Sequence, residues 1–477
     1  MKAKFSPYLT SIADGMKKVI AILGEKYDYV SVLSTDSIGW GMQATKTVMT
    51  IQNETMTTER GNVIRVCKDG LYSEYSFNQF DPRNPEKTAK EAIEAIEAQL
   101  ALVEATGSEV YKTDVLSNEP CTLMVEFDTE QTPEDCDQDK VMQGLVEIKE
   151  EALKLEPDLI EISVGLQSTH ISKMFLTKNR DMRQSYVYSE GHVYPVMFAN
   201  GKNVMSYEGK SGRKGPELIN ELKGVVKEAV ENTKAISNAK PVEPGEYDII
   251  TSPEVTGLIA HEAFGHGVEM DMFVKERALG AKYIDKRVGS DLVTMHEGAK
   301  CAEDVTSYAF DDEGNLAGDV VEIDHGILKT GICDALSALR LGTRPTGNGK
   351  RENFEHKVYT RMTNTSFESG DSKLEDMIAS IESGYLLKGM SSGMEDPKHW
   401  GIQCLVSCGL EIKGGKLTGK VVAPIVMTGY VPDLLGSISM LSDDREVFGN
   451  GGCGKGYKEW VKVSDGGPYL KARARLG

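Results

Sequence analysis

The sequence predicts an α+β fold: an N-terminal α/β layered domain over residues 1–240, then a β-rich C-terminal domain over residues 241–477. In the first region, long amphipathic helical patterns are interspersed with period-two strand patterns, which is typical of packed helix and sheet layers. In the second, most patterns are strand-like and separated by turn residues. Between them, SNAKPVEPGE at 237–246 has two prolines and few apolar groups, which favours a linker.

The N-terminal region contains four helical patterns, in which apolar residues recur three and four positions apart. They predict helices over 8–25, Pro85–Ala105, Gln138–Leu155 and Glu217–Ile236. The strand patterns between them turn at tight, polar positions. We expect these turns at Lys68-Asp69-Gly70, Asn179-Arg180-Asp181 and Glu190-Gly191.

The C-terminal region opens with a short strand, YDII, followed by a helix. Ser252 is a good N-cap, and Pro253 suits the first helical position because its missing N–H has no partner there. The apolar residues that follow have helical spacing, so this helix buries one face. Later patterns predict mostly strands, with a hairpin turn at Gly414-Gly415, a short helix over 372–383 and a last helix over Leu434–Met440.

The first of these helices carries H-E-x-x-x-H from His261 to His266, one residue longer than the zincin motif. In a regular helix, residues i and i+5 point roughly 140° apart, so the two imidazoles would diverge. Gly265 and Gly267 flank His266 and allow the backbone to kink or bulge. We therefore expect a helix deformed at Gly265, with both histidines on one metal ion and Glu262 as general base on a metal-bound water. The alternative is that these are two ordinary histidines.

Further groups are candidates for a metal site. Glu269 and Asp271 are near enough in sequence to orient a ligand imidazole. Cys453 lies in the glycine-rich run FGNGGCGKG, where it is either an ordinary loop thiol or a soft third ligand that leaves one zinc position open. His296 and Cys301 have the same spacing in a predicted strand and turn, and form an alternative metal site.

The composition limits the classes of function. The net charge is −19 with a pI near 5.0, and an acidic surface argues against nucleic-acid and anionic-membrane binding. No apolar run has the length of a membrane span, and the N-terminus lacks the apolar core of a signal peptide. We therefore expect a cytoplasmic protein whose 8 scattered cysteines are reduced.

Four motifs stand out together in the C-terminal half. They are HEAFGHGVEMD at His261–Asp271, TGNGKRE at Thr346–Glu352, RMTNT at Arg361–Thr365 and GGCGKG at Gly451–Gly456. From its residues, the TGNGKRE run is a loop lining a site or, alternatively, a surface turn. In these motifs the chain resembles the TldD/PmbA (TldE) metalloproteases, once called modulators of DNA gyrase. The resemblance implies that His261, His266 and Cys453 are the metal ligands and Glu262 is the general base.

The complete metal motif resembles that of the catalytic TldD-like branch, since TldE-like subunits have lost it. The resemblance implies a zinc-dependent metallopeptidase that cleaves unfolded or extended peptides. It also implies a dimer that encloses the site in a chamber, either a homodimer or a heterodimer with a TldE/PmbA-like subunit. Strand addition to an exposed sheet edge is the expected mode of peptide binding.

Two other functions stay open. A non-enzymatic regulator or assembly subunit, such as a gyrase modulator with a structural zinc, would be expected to supply four protein ligands. Three ligands plus a well-placed glutamate favour catalysis instead. A metal amidase or esterase acting on small molecules is the third possibility, and comparing hydrolysis of unfolded peptides with that of small amides would separate it.

Overall fold

The computed structural model describes residues 1–106, 111–455 and 459–477, so Gly456 of the GGCGKG motif lies outside the described residues. In these residues the helices are α1 (Pro7–Leu23), α2 (Pro85–Ala105), α3 (Gln138–Leu155), α4 (Ile219–Leu222), α5 (Val226–Ser237), α6 (Pro253–Ala260), α7 (Asp271–Val274), α8 (Ala335–Leu341), α9 (Leu374–Ala379) and α10 (Val431–Gly436). None of the helices described is both long and apolar enough to cross a bilayer.

The strands fall into one N-terminal group and one C-terminal group. The first group is β1 (Tyr29–Thr45), β2 (Met49–Gln52), β3 (Arg60–Lys68), β4 (Leu71–Phe77), β5 (Cys121–Glu126), β6 (Glu161–Thr177), β7 (Arg180–Ala199), β8 (Lys202–Met205) and β9 (Glu208–Gly212). The second group is β10 (Gly245–Thr251), β11 (Met295–Glu297), β12 (Val320–Asp324), β13 (Ile327–Leu328), β14 (Gly349–Lys350), β15 (Tyr359–Thr360), β16 (Asn364–Phe367), β17 (Ser383–Asp396), β18 (Gly401–Lys413), β19 (Lys416–Val422), β20 (Ile425–Tyr430), β21 (Met440–Leu441), β22 (Glu446–Phe448), β23 (Gly452–Lys455), β24 (Glu459–Lys462), β25 (Ser464–Gly467) and β26 (Leu470–Leu476).

The N-terminal strands form one sheet in the order β4-β3-β1-β6-β7-β5, with β2 on β1 and with β8 and β9 on β7. The apolar stripes of helices α1 and α2 pack against residues of β1, β3 and β6. This cluster includes Leu9, Val32 and Ile64. Helices α3 to α5 pack on the other part of the sheet around Leu145 and Val164. This arrangement is a layered α+β unit, because each helix stripe needs an apolar sheet surface to cover it.

The C-terminal strands form two main sheets that hold α6 between them. Strand β10 pairs with both β17 and β26, so the order β10-β17-β18-β20-β26 closes on itself. The second sheet has the order β13-β12-β11-β16-β25-β22. Helix α6 packs against β16, β17, β22 and β25, and is buried along its whole length apart from Glu254. The predicted mixed α+β fold with a β-rich C-terminal region is therefore confirmed, while the boundary at residue 240 stays a prediction.

Candidate metal centre

The regular hydrogen bonding of helix α6 ends at Ala260, directly before the segment that carries the two histidines. Residues His261–Gly265 form a π turn, in which the N–H of His266 donates to the carbonyl of His261, and the 3₁₀ turn His266–Val268 follows. A π turn bonds each residue to the fifth residue back, so it brings positions i and i+5 closer to one face than a regular helix does. The local geometry thus removes the divergence that the five-residue spacing would otherwise impose.

Gly265 makes this turn possible by lacking a side chain. Its φ of −55° is ordinary helical backbone, so the conformational freedom expected from the sequence is not what this position uses. A Cβ built at Gly265 would instead lie 2.1 Å from the sulfur of Met362, which is fully buried. The glycine is required by close packing against the segment that carries Met362.

The structure brings three of the predicted site residues together from two distant parts of the chain. One donor atom each of His261, His266 and Cys453 lies within 4.8 Å of the others. Cys453 Sγ is 3.3 Å from His266 Nε2, close to the roughly 3.6 Å expected for two ligands of one tetrahedral zinc ion. The two imidazole rings stand nearly perpendicular, with centroids 5.1 Å apart. Two imidazoles and one thiolate are ligands that suit zinc, so these residues fit the ion.

A buried carboxylate holds the second nitrogen of His266. Glu269 Oε2 lies 3.1 Å from His266 Nδ1, which leaves Nε2 directed at Cys453. Lys455 Nζ contacts the same carboxylate at 3.0 Å, and Arg361 lies 3.9 Å from its other oxygen. Arg361 also donates to the carbonyl of Cys453 at 2.6 Å. Glu269 therefore orients one candidate ligand, and Arg361 links it to β23, the strand that carries another.

Asp271 does not share this role. Its carboxylate contacts Lys455 at 2.7 Å and Lys275 at 2.9 Å. Asp465 instead lies near the other imidazole of the cluster, with its Oδ2 3.8 Å from His261 Nδ1. That nitrogen is buried and has no hydrogen-bond partner among the described groups. Asp465 was not expected from the sequence, because SDGG has the composition of a surface turn while β25 is buried.

The charges in the cluster stabilise one another. The two imidazoliums hold the pKa of the Cys453 thiol well below its usual range, although burial acts in the opposite direction. Burial lowers the pKa of His261, but the Cys453 thiolate outweighs it and raises the value to about 9. Lys455 and His266 lower the pKa of Glu269 to about 2 against the effect of burial. A thiolate beside two imidazoles can bind a divalent cation once the imidazolium protons are released.

Glu262 faces the same cleft as the cluster. The cleft has a volume of about 600 Å³ and is lined on one side by His261, Glu262 and His266, and on the other by residues 390–395 of β17. A Cβ at Gly393 would lie 2.5 Å from Cγ of Glu262, so the strand passes directly over this carboxylate. Glu395 also lines the cleft, and burial raises the pKa of its carboxyl to about 9. Glu395 was not expected from the sequence, because it lies on β17, 133 residues after Glu262.

The remaining motif residues lie away from the cleft. Both ring nitrogens of His296 face carboxylates, Asp319 and Glu368, at 2.8 Å, and the Cys301 thiol donates to a backbone carbonyl, so these two side chains do not form a shared site. The TGNGKRE run is largely buried rather than a surface turn. Its Lys350 donates to the carbonyl of Met362 at 3.0 Å, so it supports the segment behind the cluster.

The chain is similar in sequence to known metallopeptidases over about half of its length. Residues 244–473 match the family described as the PmbA/TldA metallopeptidase C-terminal domain. A metalloprotease of Methanocaldococcus jannaschii is 32% identical over 249 residues, which are 52% of this chain and 54% of the relative. A metalloprotease TldD homolog of Buchnera aphidicola is 33% identical over 249 residues, 51% and 50% of the two chains. The chain thus spans about half the length of the curated relatives it matches.

The whole fold also has a solved counterpart. TldE from Thermococcus kodakarensis superposes with a TM-score of 0.77, covering 97% of this chain and 100% of that one. At 18% identity, this likeness establishes the fold alone.

Proposed function

We propose that the chain, which belongs to the TldD/PmbA family, is a zinc-dependent metallopeptidase of the TldD-like branch that cleaves unfolded or extended peptides. The single observation that carries the proposal is the convergence of His261, His266 and Cys453 beside Glu262. Three ligands leave one of the four positions of zinc open, which is the arrangement of catalytic sites rather than structural ones. A zinc metalloprotease TldD homolog of Saccharolobus solfataricus, 29% identical over 257 residues, supports the choice of metal.

Each residue of the site has a defined task. His261 and His266 would bind the metal through imidazole nitrogen and Cys453 through its thiolate, while Glu269 keeps the ring of His266 in place. When bound, zinc polarises a carbonyl oxygen and lowers the pKa of water towards 7. Glu262 accepts a proton from the attacking water and delivers it to the leaving amine.

The edge of β17 offers a place for an extended substrate. One edge of β17 pairs with β18, and the other pairs with β10 only as far as Leu387. Beyond Leu387, no described strand pairs with this second edge, although residues 390–395 line the cleft. A peptide could therefore add to this edge by main-chain hydrogen bonds and pass over Glu262. Such binding selects an extended backbone, which unfolded segments readily adopt.

Substitution of Glu262 tests the proposal. Glu262→Ala should bind zinc in the same stoichiometry as the wild type, since Glu262 is not one of the three grouped ligands. It should lose roughly 10²- to 10⁴-fold in turnover of an unfolded peptide, because the attacking water has no proton acceptor. Glu246→Ala removes an exposed glutamate outside the cleft and serves as the matched control. Full turnover by zinc-loaded Glu262→Ala, or hydrolysis of small amides but not peptides, contradicts the assignment.

A further inference from the structure

A second groove opens directly from the metal cleft. It has a volume of about 560 Å³ and shares Met390, Ser391 and Gly451 with the lining of the cleft. We call it the acidic groove, because four of its six charged lining residues are glutamates: Glu208, Glu228, Glu254 and Glu446, with Lys210 and Lys388 as the cations. It begins at the N-terminal end of α6, while the histidines lie just beyond its C-terminal end.

The carboxylates of the acidic groove outnumber the ammonium groups that can neutralise them. Lys388 Nζ pairs with Glu228 at 2.7 Å, and Glu254 accepts the backbone N–H of Gly389 at 2.9 Å. Glu208 accepts from Asn232 at 2.7 Å. Burial, with Glu228 and Glu254 nearby, raises the pKa of Glu208 to about 7, while Lys388 lowers it. The groove thus has excess negative charge that a cationic ligand would neutralise.

A buried hydroxyl supplies an independent sign of a ligand. Ser252 is 1% exposed, lines the acidic groove, and its Oγ has no hydrogen-bond partner among the described residues. It was expected to cap α6, yet its side chain makes no capping hydrogen bond. A buried polar group without a partner costs free energy, so a ligand that donates to it is stabilised. The rings of Tyr207 and Tyr469 also line the groove, and aromatic faces attract cations.

The strand β17 connects the acidic groove to the catalytic glutamate. Its residue Gly389 contacts Glu254, and Gly393 lies against Glu262. Four strand residues span roughly 13 Å at 3.3 Å each, and the eight helical residues from Glu254 to Glu262 span roughly 12 Å. The strand and helix therefore run side by side, and a peptide on the free edge of β17 would reach the groove about four residues from Glu262.

We propose that the acidic groove is a specificity subsite that binds a lysine or arginine side chain of the substrate, about four residues from the scissile bond. The side chain would donate to the groove carboxylates and to Ser252 Oγ. This inference rests on the proposed peptidase function for the register of the peptide. It predicts a preference for basic peptides, which the net charge of −19 also favours through long-range attraction.

A set of peptides in which the position of a single arginine is varied tests the proposal. Otherwise identical unstructured peptides of about twelve residues carry one arginine at successive positions, with glutamine as the neutral reference. Zinc-loaded protein should show roughly tenfold higher kcat/KM when arginine lies about four residues to one side of the cut. Glu208→Gln should remove most of this preference, and the loss should appear in KM rather than in kcat. Glu231→Gln, on α5 but outside the groove, should behave as the wild type.

Fluorescence anisotropy measures peptide binding to Glu262→Ala without cleavage. This measurement separates the inference about the acidic groove from the proposed function. Cleavage without a positional arginine preference, or a preference unchanged in Glu208→Gln, overturns the subsite and leaves the peptidase standing. No cleavage of any peptide, together with arginine-dependent binding that Glu208→Gln abolishes, refutes the peptidase and supports the acidic groove as a cation-binding site.

Discussion

Gly265→Ala is the most direct perturbation of the π turn, because it adds one methyl group and leaves every ligand in place. The new Cβ would lie 2.1 Å from the sulfur of Met362. Ordinary contact requires about 3.6 Å, so the turn or the methionine must move by about 1.5 Å. Met362 packs in one buried cluster with Cys453, Val461 and Val463, so movement on either side should disturb the proposed metal ligands.

The expected cost follows from overpacking of a buried site. Gly265→Ala should lower the free energy of unfolding by about 1–3 kcal/mol and weaken zinc binding by roughly 10- to 100-fold. Zinc affinity is measured by competition with a chromophoric chelator, and stability by denaturant unfolding with and without zinc. Gly436→Ala is the matched control, because a Cβ there meets nothing within 4 Å.

A double-mutant cycle identifies the cause. Met362→Ala removes the atom that blocks the new methyl, so Gly265→Ala should cost less in that background than in the wild type. If Gly265→Ala has wild-type zinc affinity and wild-type stability, the packing argument for the π turn is refuted. If the penalty is the same in both backgrounds, Met362 is not its source.

Three further predictions concern the ligands and the assembly. Cys453→Ser should weaken zinc binding strongly, because a hydroxyl does not ionise near neutral pH as a thiol can. Cys136→Ser serves as control, and equal zinc affinity in both variants would exclude the Cys453 thiolate as a ligand. Glu269→Gln should weaken zinc binding roughly 10- to 100-fold, whereas Asp271→Asn, which contacts Lys455 but no imidazole, should not; equal effects would contradict the orienting role. If the active form is a dimer, as the family resemblance implies, light scattering should give about twice 52.2 kDa, and a fully active monomer would refute it.

Local patterns predicted the long helices well. The structure confirms α2 and α3 with the expected bounds, Pro85–Ala105 and Gln138–Leu155, because a sustained helical period and clear ends are local properties of the sequence. The predicted helix over Glu217–Ile236 is broken into α4 and α5 by the 3₁₀ turn Lys223–Val225. The last helix, predicted over Leu434–Met440, lies earlier in the chain, because α10 spans Val431–Gly436.

The expected turn at Glu190-Gly191 was wrong for a tertiary reason. Strand β7 continues through both residues and pairs there with β6. A Cβ at Gly191 would lie 3.1 Å from a methyl of Leu222, so this glycine gives room for the helical layer. In the metal centre, the five-residue spacing indicated a deformed helix from local sequence alone. Asp465 and Glu395 gave no such signal, because the fold brings them to the site from distant strands.

The separation of the ligands along the chain also orders events in time. Cys453 follows His266 by 187 residues, and β10, which leads into α6, pairs with β26 near the end of the described chain. At translation rates of about 5–20 residues per second, the second histidine leaves the ribosome roughly 10–40 s before the thiol is made. During that interval the chain has two of the three proposed ligands and an incomplete sheet. In the proposed peptidase, zinc capture and the hydrolysis of unfolded chains would therefore begin only after the polypeptide has largely folded.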